Sequence, residues 1–103
     1  MIATIENRYA IIITFAQILV MTNEQIEKFL VQDKVAENVV SINFKTRNSI
    51  RGIFINAADF HELKSKNFWR IVREANIDNW KKTKDLDLAR IFNGTEITKL
   101  SLV

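Results

Sequence analysis

The run Trp80-Lys81-Lys82-Thr83-Lys84 has the clearest capacity for binding chemistry in this sequence. An indole ring can stack on a nucleobase while neighbouring ammonium groups neutralise phosphates, a combination that suits single-stranded nucleic acid. The ordinary alternative is a solvated loop or short helix whose tryptophan packs against the domain. That alternative is favoured because tryptophan is mostly buried in folded proteins. Trp80, Lys81 and Lys82 are therefore nucleic-acid-binding candidates, with a structural role for Trp80 as the competing interpretation.

His61 is the single histidine, and it follows Asp59 in a polar stretch after the second predicted strand. Stacking of such a ring on a base contributes about 1–3 kcal/mol, so His61 is a second candidate for nucleic-acid binding. A solvated or capping histidine is the favoured alternative, because a lone histidine is a weak indication of a site. Asp59 and His61 could also act as an acid–base pair, but no nucleophile accompanies them.

Four arginines, Arg47, Arg51, Arg70 and Arg73, come from predicted strands or turns that could share one side of the domain. The planar guanidinium fork fits phosphate groups, so Arg47, Arg51 and Arg70 join the nucleic-acid-binding candidates. The alternative is pairing with carboxylates on neighbouring strands, where each pair contributes only about 0.2–1 kcal/mol. The sequence does not separate these two interpretations.

Catalysis has little support in the residue types. The chain has no cysteine, only two glycines and one histidine, so it offers no thiol nucleophile, no glycine-rich phosphate loop and no paired histidines for a metal. We therefore predict a non-enzymatic protein with no catalytic residues, no cofactor and no metal site.

The length and net charge of the chain predict one small basic domain. The 103 residues carry a net charge of +3, and they have no proline and no linker-like segment. Residues 21–42 hold four acidic and two basic side chains (−2), whereas residues 43–90 hold eleven basic and six acidic ones (+5). A basic region beside an acidic one could favour anionic partners. A charge surplus that serves solubility is the favoured alternative.

The elements that would position these residues begin with a helix over residues 23–32. Thr22 and Gln25 have the spacing of a capping box, and Ile26, Phe29 and Leu30 form one apolar stripe. Alternating apolar and polar residues then predict strands over residues 40–45 and 50–55, joined by a polar turn. Gly52 lies inside the second strand, which indicates a bulge, a bend or a close backbone approach, with a bend favoured.

Further strands are predicted over residues 68–77, 86–92 and 96–103, with a helical turn near residues 58–63 and a charged loop or short helix over 78–85. Asn93-Gly94 is typical of a tight hairpin, since both residues tolerate positive φ. The predicted fold class is mainly β with an N-terminal helix, in which a five-stranded, strongly bent antiparallel sheet closes into a small barrel.

Residues 1–20 end in an almost wholly apolar run that begins at Tyr9. The run is too short for a membrane span of about 20 apolar residues, and it lacks the marks of a signal peptide. It is either a buried element or an apolar N-terminal extension, with the helix-plus-barrel domain occupying residues 21–103. As an extension, the run would be exposed, sticky, or docked on a partner chain.

Two short segments resemble motifs of the Sm-like proteins, the SH3-type barrels that include Sm, LSm and Hfq. Ile42-Asn43-Phe44-Lys45, Ile50-Arg51-Gly52 and Asp59-Phe60-His61 are similar to the first Sm motif. Arg90-Ile91-Phe92-Asn93-Gly94, followed by Ile97, is similar to the second. The resemblance covers about four-fifths of the chain. It implies an SH3/Sm-like barrel, with RNA as a ligand near His61. Independently, the fourth and fifth strands would offer backbone groups to a neighbour, which predicts a ring or a dimer.

The chain departs from the Sm pattern at the positions that hold RNA in that family. The spacing from Gly52 to Asp59 is one residue longer, Glu62 and Leu63 stand where an asparagine is expected, and Asn93 replaces an arginine. The resemblance therefore supports the barrel better than it supports RNA binding. The runs NFWRIV and RIFNGTEITKL are also similar to those of a small bacterial family of unassigned function.

The predicted function is a non-enzymatic binding or assembly module that self-associates through its terminal strands. The alternative is an Sm-like RNA-binding protein that uses a basic barrel face. The expected partners are a second copy of the chain or another protein, with RNA in the alternative and no membrane. The absence of cysteine fits a cytoplasmic location.

Overall fold

A computed structural model describes residues 20–32 and 38–103. The described helices are α1 (Asn23–Gln32), α2 (Phe60–Ser65) and α3 (Ile77–Thr83), and the strands are β1 (Val40–Phe44), β2 (Ile50–Phe54), β3 (Phe68–Arg73), β4 (Ala89–Asn93) and β5 (Ile97–Leu102). Short 3-10 turns lie at Glu74–Asn76, Leu86–Leu88 and Gly94–Glu96. The predicted apolar extension over residues 1–20 lies, apart from its last residue, outside the described residues.

All five strands belong to one antiparallel sheet with the order β4-β3-β2-β1-β5. The predicted class, mainly β with an N-terminal helix, is therefore confirmed. Within the described ranges β4 and β5 are the two edges of the sheet and do not pair with each other. Closure into a barrel stays a prediction.

Helix α1 begins as the capping box predicts. The backbone N–H of Gln25 donates to Thr22 Oγ1 at 3.1 Å, and the backbone N–H of Thr22 donates to Gln25 Oε1 at 2.9 Å. Two free amides at the start of the helix are thereby satisfied. The apolar stripe then places Ile26 in the core, fully buried, while Phe29 and Leu30 pack at its margin. Helix α1 therefore covers one face of the sheet.

The core has two parts because the central strands are buried on both faces. Consecutive residues of a strand point to opposite faces, and the neighbours Ile53 and Phe54 fall into different apolar clusters, as do Ile71 and Val72. The larger cluster lies under α1, and the smaller one lies under α3, which contributes Ile77 and Trp80.

The last three strands are shorter than predicted. β3 ends at Arg73 rather than continuing to residue 77, because the chain turns at Glu74–Asn76 and enters α3. β4 starts at Ala89 instead of residue 86, after the turn at Leu86–Leu88. The sequence predicted either a loop or a short helix over residues 78–85, and the structure has the helix α3 there. No helix within the described ranges is both long and apolar enough to cross a membrane.

Gly52 marks a close approach of two strands. A Cβ at this position would lie 2.5 Å from the Val72 carbonyl oxygen and 2.9 Å from Ile71 Cγ2. β2 pairs with β1 over residues 50–52 and with β3 over residues 52–54, so Gly52 is the residue at which pairing passes from one neighbour to the other. Neither pairing has a register shift, so the bulge considered there is absent. The register shift in the sheet lies instead between β1 and β5, at Asn43 and Phe44.

The tight Asn93-Gly94 hairpin predicted between the last two strands is wrong. Asn93 has φ −82°, and neither described glycine has positive φ. Asn93 Oδ1 instead accepts a hydrogen bond from the Thr95 amide at 3.0 Å, which starts a 3-10 turn. β5 leaves this turn to pair with β1, so the turn connects the two edges of the sheet rather than two neighbouring strands.

Candidate functional site

The free edge of β4 presents backbone groups outward. The Ile55 amide donates to the Arg70 carbonyl at 3.0 Å, so the backbone of Arg70 faces β2 rather than β4. Because hydrogen-bonded and non-hydrogen-bonded pairs alternate along an antiparallel ladder, Ile91, which lies opposite Arg70, directs its own N–H and C=O away from the sheet. The Ile91 side chain is also 51% exposed.

The edge of β5 has the same character at Leu100 and Leu102, whereas the carbonyl of its first residue, Ile97, already accepts a hydrogen bond from the Met21 amide at 2.9 Å. The Val103 amide donates to the Val39 carbonyl at 3.2 Å, which makes Val39 and Val103 a hydrogen-bonded pair. Alternation along the β1–β5 register then turns the backbones of Leu100 and Leu102 outward. Leu102 is 51% exposed. Both edges thus combine available backbone groups with an exposed apolar side chain.

A second surface is a cleft lined by three arginines on three neighbouring strands. Arg51 comes from β2, Arg73 from the end of β3 and Arg90 from β4, and the cleft has a volume of about 440 Å³. The other lining residues are Ile50, Glu74, Ala75 and Asn76. We call this the arginine cleft. It brings together two of the arginines that the sequence grouped, and it adds Arg90.

The arginine cleft carries an excess of positive charge. All three arginines are exposed, and none forms an ion pair with another described residue. Glu74 is the one carboxylate in the lining, so three guanidinium groups stand against one acid. Such a cleft attracts anions.

Arg70 is engaged elsewhere. Its guanidinium donates through Nη1 and Nη2 to the two carboxylate oxygens of Asp59, and only 15% of its side chain is exposed. These hydrogen bonds and the positive charge of Arg70 lower the pKa of Asp59 below its usual value. The pair ties the segment before α2 to β3, so both side chains are engaged in a structural contact. Among the described residues no hydrogen bond joins Asp59 to His61 as an acid–base pair would require.

Arg47 lies at a third location. Its guanidinium carbon stands 5.1 Å from the ring centroid of Phe44 and 5.4 Å from that of Phe92. These are cation–π distances, so Arg47 covers an aromatic pair of the core. The four arginines that were predicted to share one side of the domain therefore lie at three separate locations.

The Trp80 ring belongs to the core, as the alternative interpretation had it. It is 7% exposed and packs in the smaller apolar cluster, and Lys84 Nζ lies 4.0 Å from its ring centroid. A ring in this position is not an open platform for a base. Lys81 and Lys82 are exposed on α3.

His61 lies on α2 and is exposed. Its ring stands edge-on to Phe60, with the centroids 5.5 Å apart. The arginine cleft is lined only by residues of β2, β3, β4 and the turn after β3. His61, Lys81 and Lys82 are not among them. The predicted nucleic-acid-binding residues thus do not form one continuous surface.

Sequence reasoning did not name Arg90 as a ligand-binding residue. The observation that finds it is the β3–β4 register, in which Arg90 lies opposite Ile71, two residues before Arg73, and this pairing was not predicted from the sequence. No group of three or more acidic or histidine side chains in the described part of the chain could hold a metal ion.

Comparison with protein-family models, with curated proteins and with solved structures finds no match to this chain. Any functional conclusion therefore depends on the two sheet edges and the arginine cleft themselves.

Proposed function

We propose that this chain is a non-enzymatic assembly module in which β4 of one copy pairs with β5 of the next. The observation that carries the proposal is the pair of free edges, each with outward backbone groups and an exposed apolar side chain, Ile91 on one and Leu102 on the other. Edge strands of this kind are templates for the addition of another strand.

Natural sheets usually protect an edge with charged side chains, proline or a covering element. β4 has Arg90 and β5 has Lys99 as charged residues, but the chain has no proline. The described helices lie against the faces of the sheet, where α1 and α3 cover the two apolar clusters. A neighbouring strand is the covering element that best suits both edges.

An interface between two different edges is head-to-tail. Each added copy leaves one β4 edge and one β5 edge free, so assembly continues until a ring closes or a filament forms. A head-to-tail interface turns every copy through the same angle, so the copies close into a ring when that angle divides a full turn. We propose a closed ring.

The finer fold proposal is an SH3/Sm-type barrel. It is supported by the strand order, in which β5 returns beside β1, and by the N-terminal helix that lies over the sheet. The RNA-binding alternative has weaker support, because its candidate residues lie in separate places and Arg70 and Trp80 are engaged in the structure.

The test is the solution mass of the full chain, measured by light scattering after gel filtration. We expect an oligomer for the natural sequence and a smaller species for Ile91→Lys and for Leu102→Lys, since a lysine protects an edge. Val31→Lys on α1 is the matched control: Val31 is an apolar residue 68% exposed on a helix, and its change should leave the mass unaltered.

Mixing the two edge variants distinguishes the head-to-tail interface from a symmetric one. Ile91→Lys keeps an intact β5 edge and Leu102→Lys keeps an intact β4 edge, so an equimolar mixture should yield a dimer of one of each. A monomeric natural chain rejects the assembly proposal. Loss of mass in only one variant indicates a symmetric interface through that single edge and rejects β4–β5 pairing.

A further inference from the structure

We infer that the arginine cleft is a binding site for an oligophosphate, either free or carried by a small nucleotide. The inference is independent of the proposed assembly. Strand pairing at the edge of β4 uses backbone groups, whereas the side chain of Arg90 projects from a face of the sheet into the cleft.

The spacing of the three arginines suits more than one phosphate group. β2 and β4 lie on either side of β3, so they are about 10 Å apart at the usual spacing of strands. Arg73 and Arg90 lie on the face of the sheet that carries Ile71, so their guanidinium groups can converge on an anion of two or three phosphates. Alternation directs Arg51, which also lines the cleft, to the other face of β2. Guanidinium forks match phosphate oxygens in geometry, and arginine remains charged at every physiological pH.

The local structure leaves room for such an anion. Arg73 lies opposite Gly52 in the β2–β3 register, so no side chain stands across from it on that face. The cleft volume of about 440 Å³ is within the range of small-molecule sites, about 300–1,000 Å³. A larger polymer would need a basic path beyond the cleft, and the remaining basic candidates lie elsewhere.

The non-basic lining bears on which of the two sources of phosphate the cleft would bind. Ile50 and Ala75 are apolar, and the Asn76 amide can both donate and accept hydrogen bonds. An apolar surface beside a bifunctional amide suits the base of a nucleotide, whereas free oligophosphate would use the arginines alone.

The test is calorimetric titration of the full chain with pyrophosphate, ATP and adenosine at low and at physiological salt. We expect pyrophosphate and ATP to bind, and adenosine alone not to bind. Arg73→Gln and Arg90→Gln should each weaken binding by about tenfold, the loss typical of a charge-assisted hydrogen bond, and Arg51→Gln should weaken it less. Tighter binding of ATP than of pyrophosphate identifies a nucleotide site, and equal affinities identify an oligophosphate site.

Two further variants separate a built site from general charge attraction. Lys82→Gln removes the same charge from an exposed position on α3 outside the cleft, and it should leave affinity unchanged. Glu74→Gln removes the one acid of the lining and should tighten binding several-fold. Equal losses in Lys82→Gln and the arginine variants, no binding of either phosphate probe, or binding of single-stranded RNA alone would each overturn the inference.

Discussion

The rings of Phe44 and Phe92 stack with their centroids 5.5 Å apart, although Phe44 is on β1 and Phe92 is on β4. β2 and β3 lie between these strands, so a flat sheet would hold them about 14 Å apart at the usual strand spacing. The sheet must therefore curl to bring the rings together. The Lys45 amide donates to the Glu96 carbonyl at 2.8 Å and joins the end of β1 to the turn after β4, which supports the same curvature.

Truncation of one ring of this pair should be costly. Phe92 is 7% exposed, and Phe92→Ala removes a ring contacted by both Phe44 and Arg47. We expect the free energy of unfolding to fall by about 3–5 kcal/mol, measured by urea denaturation. Leu86→Ala is the control, because Leu86 is 46% exposed and its loss should change stability by less than about 0.5 kcal/mol. Similar losses in both variants would show that the stacked pair does not hold the curved sheet.

A second prediction concerns the fit between Gly94 and Asn67. A Cβ on Gly94 would lie 2.0 Å from Asn67 Oδ1, and that oxygen is held by a 2.8 Å hydrogen bond from Trp69 Nε1. Asn67 also has φ 62°, and the Gly94 amide donates to its carbonyl at 2.7 Å. We expect Gly94→Ala to reduce the free energy of unfolding by about 1–3 kcal/mol, as overpacking does.

The double-mutant cycle with Asn67→Gly tests the cause. Glycine accepts the positive φ of position 67 and removes the side chain that obstructs a Cβ at position 94. In the Asn67→Gly background, Gly94→Ala should therefore cost much less than in the natural chain, which gives a coupling free energy above about 1 kcal/mol. An equal cost in both backgrounds would place the strain elsewhere.

The sequence predicted elements whose signals are local. The capping box at Thr22 and the alternation from Val40 to Phe44 both depend on residues close in the chain, and the structure has α1 and β1 where they indicate. The Asn93-Gly94 signal is also local, but its outcome depends on which strand β5 joins. β5 pairs with β1, more than fifty residues earlier in the chain, and this long-range pairing overrides the local preference of Asn93-Gly94 for a hairpin.

The arginine cleft could be predicted only in part. Arg51 and Arg73 were grouped from their predicted strands, but Arg70 has the same residue type and sits on the same strand as Arg73. Alternation along β3 directs Arg70 and Arg73 to opposite faces, and Arg70 is in addition held by Asp59, a carboxylate from the segment before α2. Such a contact depends on where a connecting segment crosses the sheet, and side-chain spacing along a strand does not encode it.

The Asp59–Arg70 pair predicts how stability depends on pH. Arg70 lowers the pKa of Asp59 in the folded chain, so the unfolded chain binds a proton at this carboxylate at a higher pH than the folded chain does. The stabilisation is therefore fully present above the ordinary aspartate pKa of about 3.9, and it is lost as pH falls through the lower folded value. The difference in unfolding free energy between the natural chain and Asp59→Asn should be constant from pH 7 to about pH 5 and then shrink on acidification.

The matched control for this pH dependence is the same substitution in an Arg70→Gln background. Removing the guanidinium removes the cause of the lowered pKa of Asp59, so the acid-dependent part of the difference should disappear. Urea unfolding at several pH values measures the effect of Asp59→Asn in the natural chain and in the Arg70→Gln background. An unchanged acid dependence without Arg70 would assign the effect to another group.

The cap of α1 should contribute to the stability of the whole domain, because Ile26 on this helix is fully buried in the larger apolar cluster. Thr22→Ala removes the oxygen that accepts from the Gln25 amide, and we expect a loss of about 1 kcal/mol in the free energy of unfolding. Thr22→Ser keeps the hydroxyl and should restore most of that loss. Urea unfolding monitored by the fluorescence of the two buried tryptophans, Trp69 and Trp80, detects whether the loss reaches the core. If alanine and serine gave the same stability, the hydroxyl bond would be contributing nothing, and the position of α1 would depend on the burial of Ile26 and on the Met21 amide, which donates to the Ile97 carbonyl at 2.9 Å.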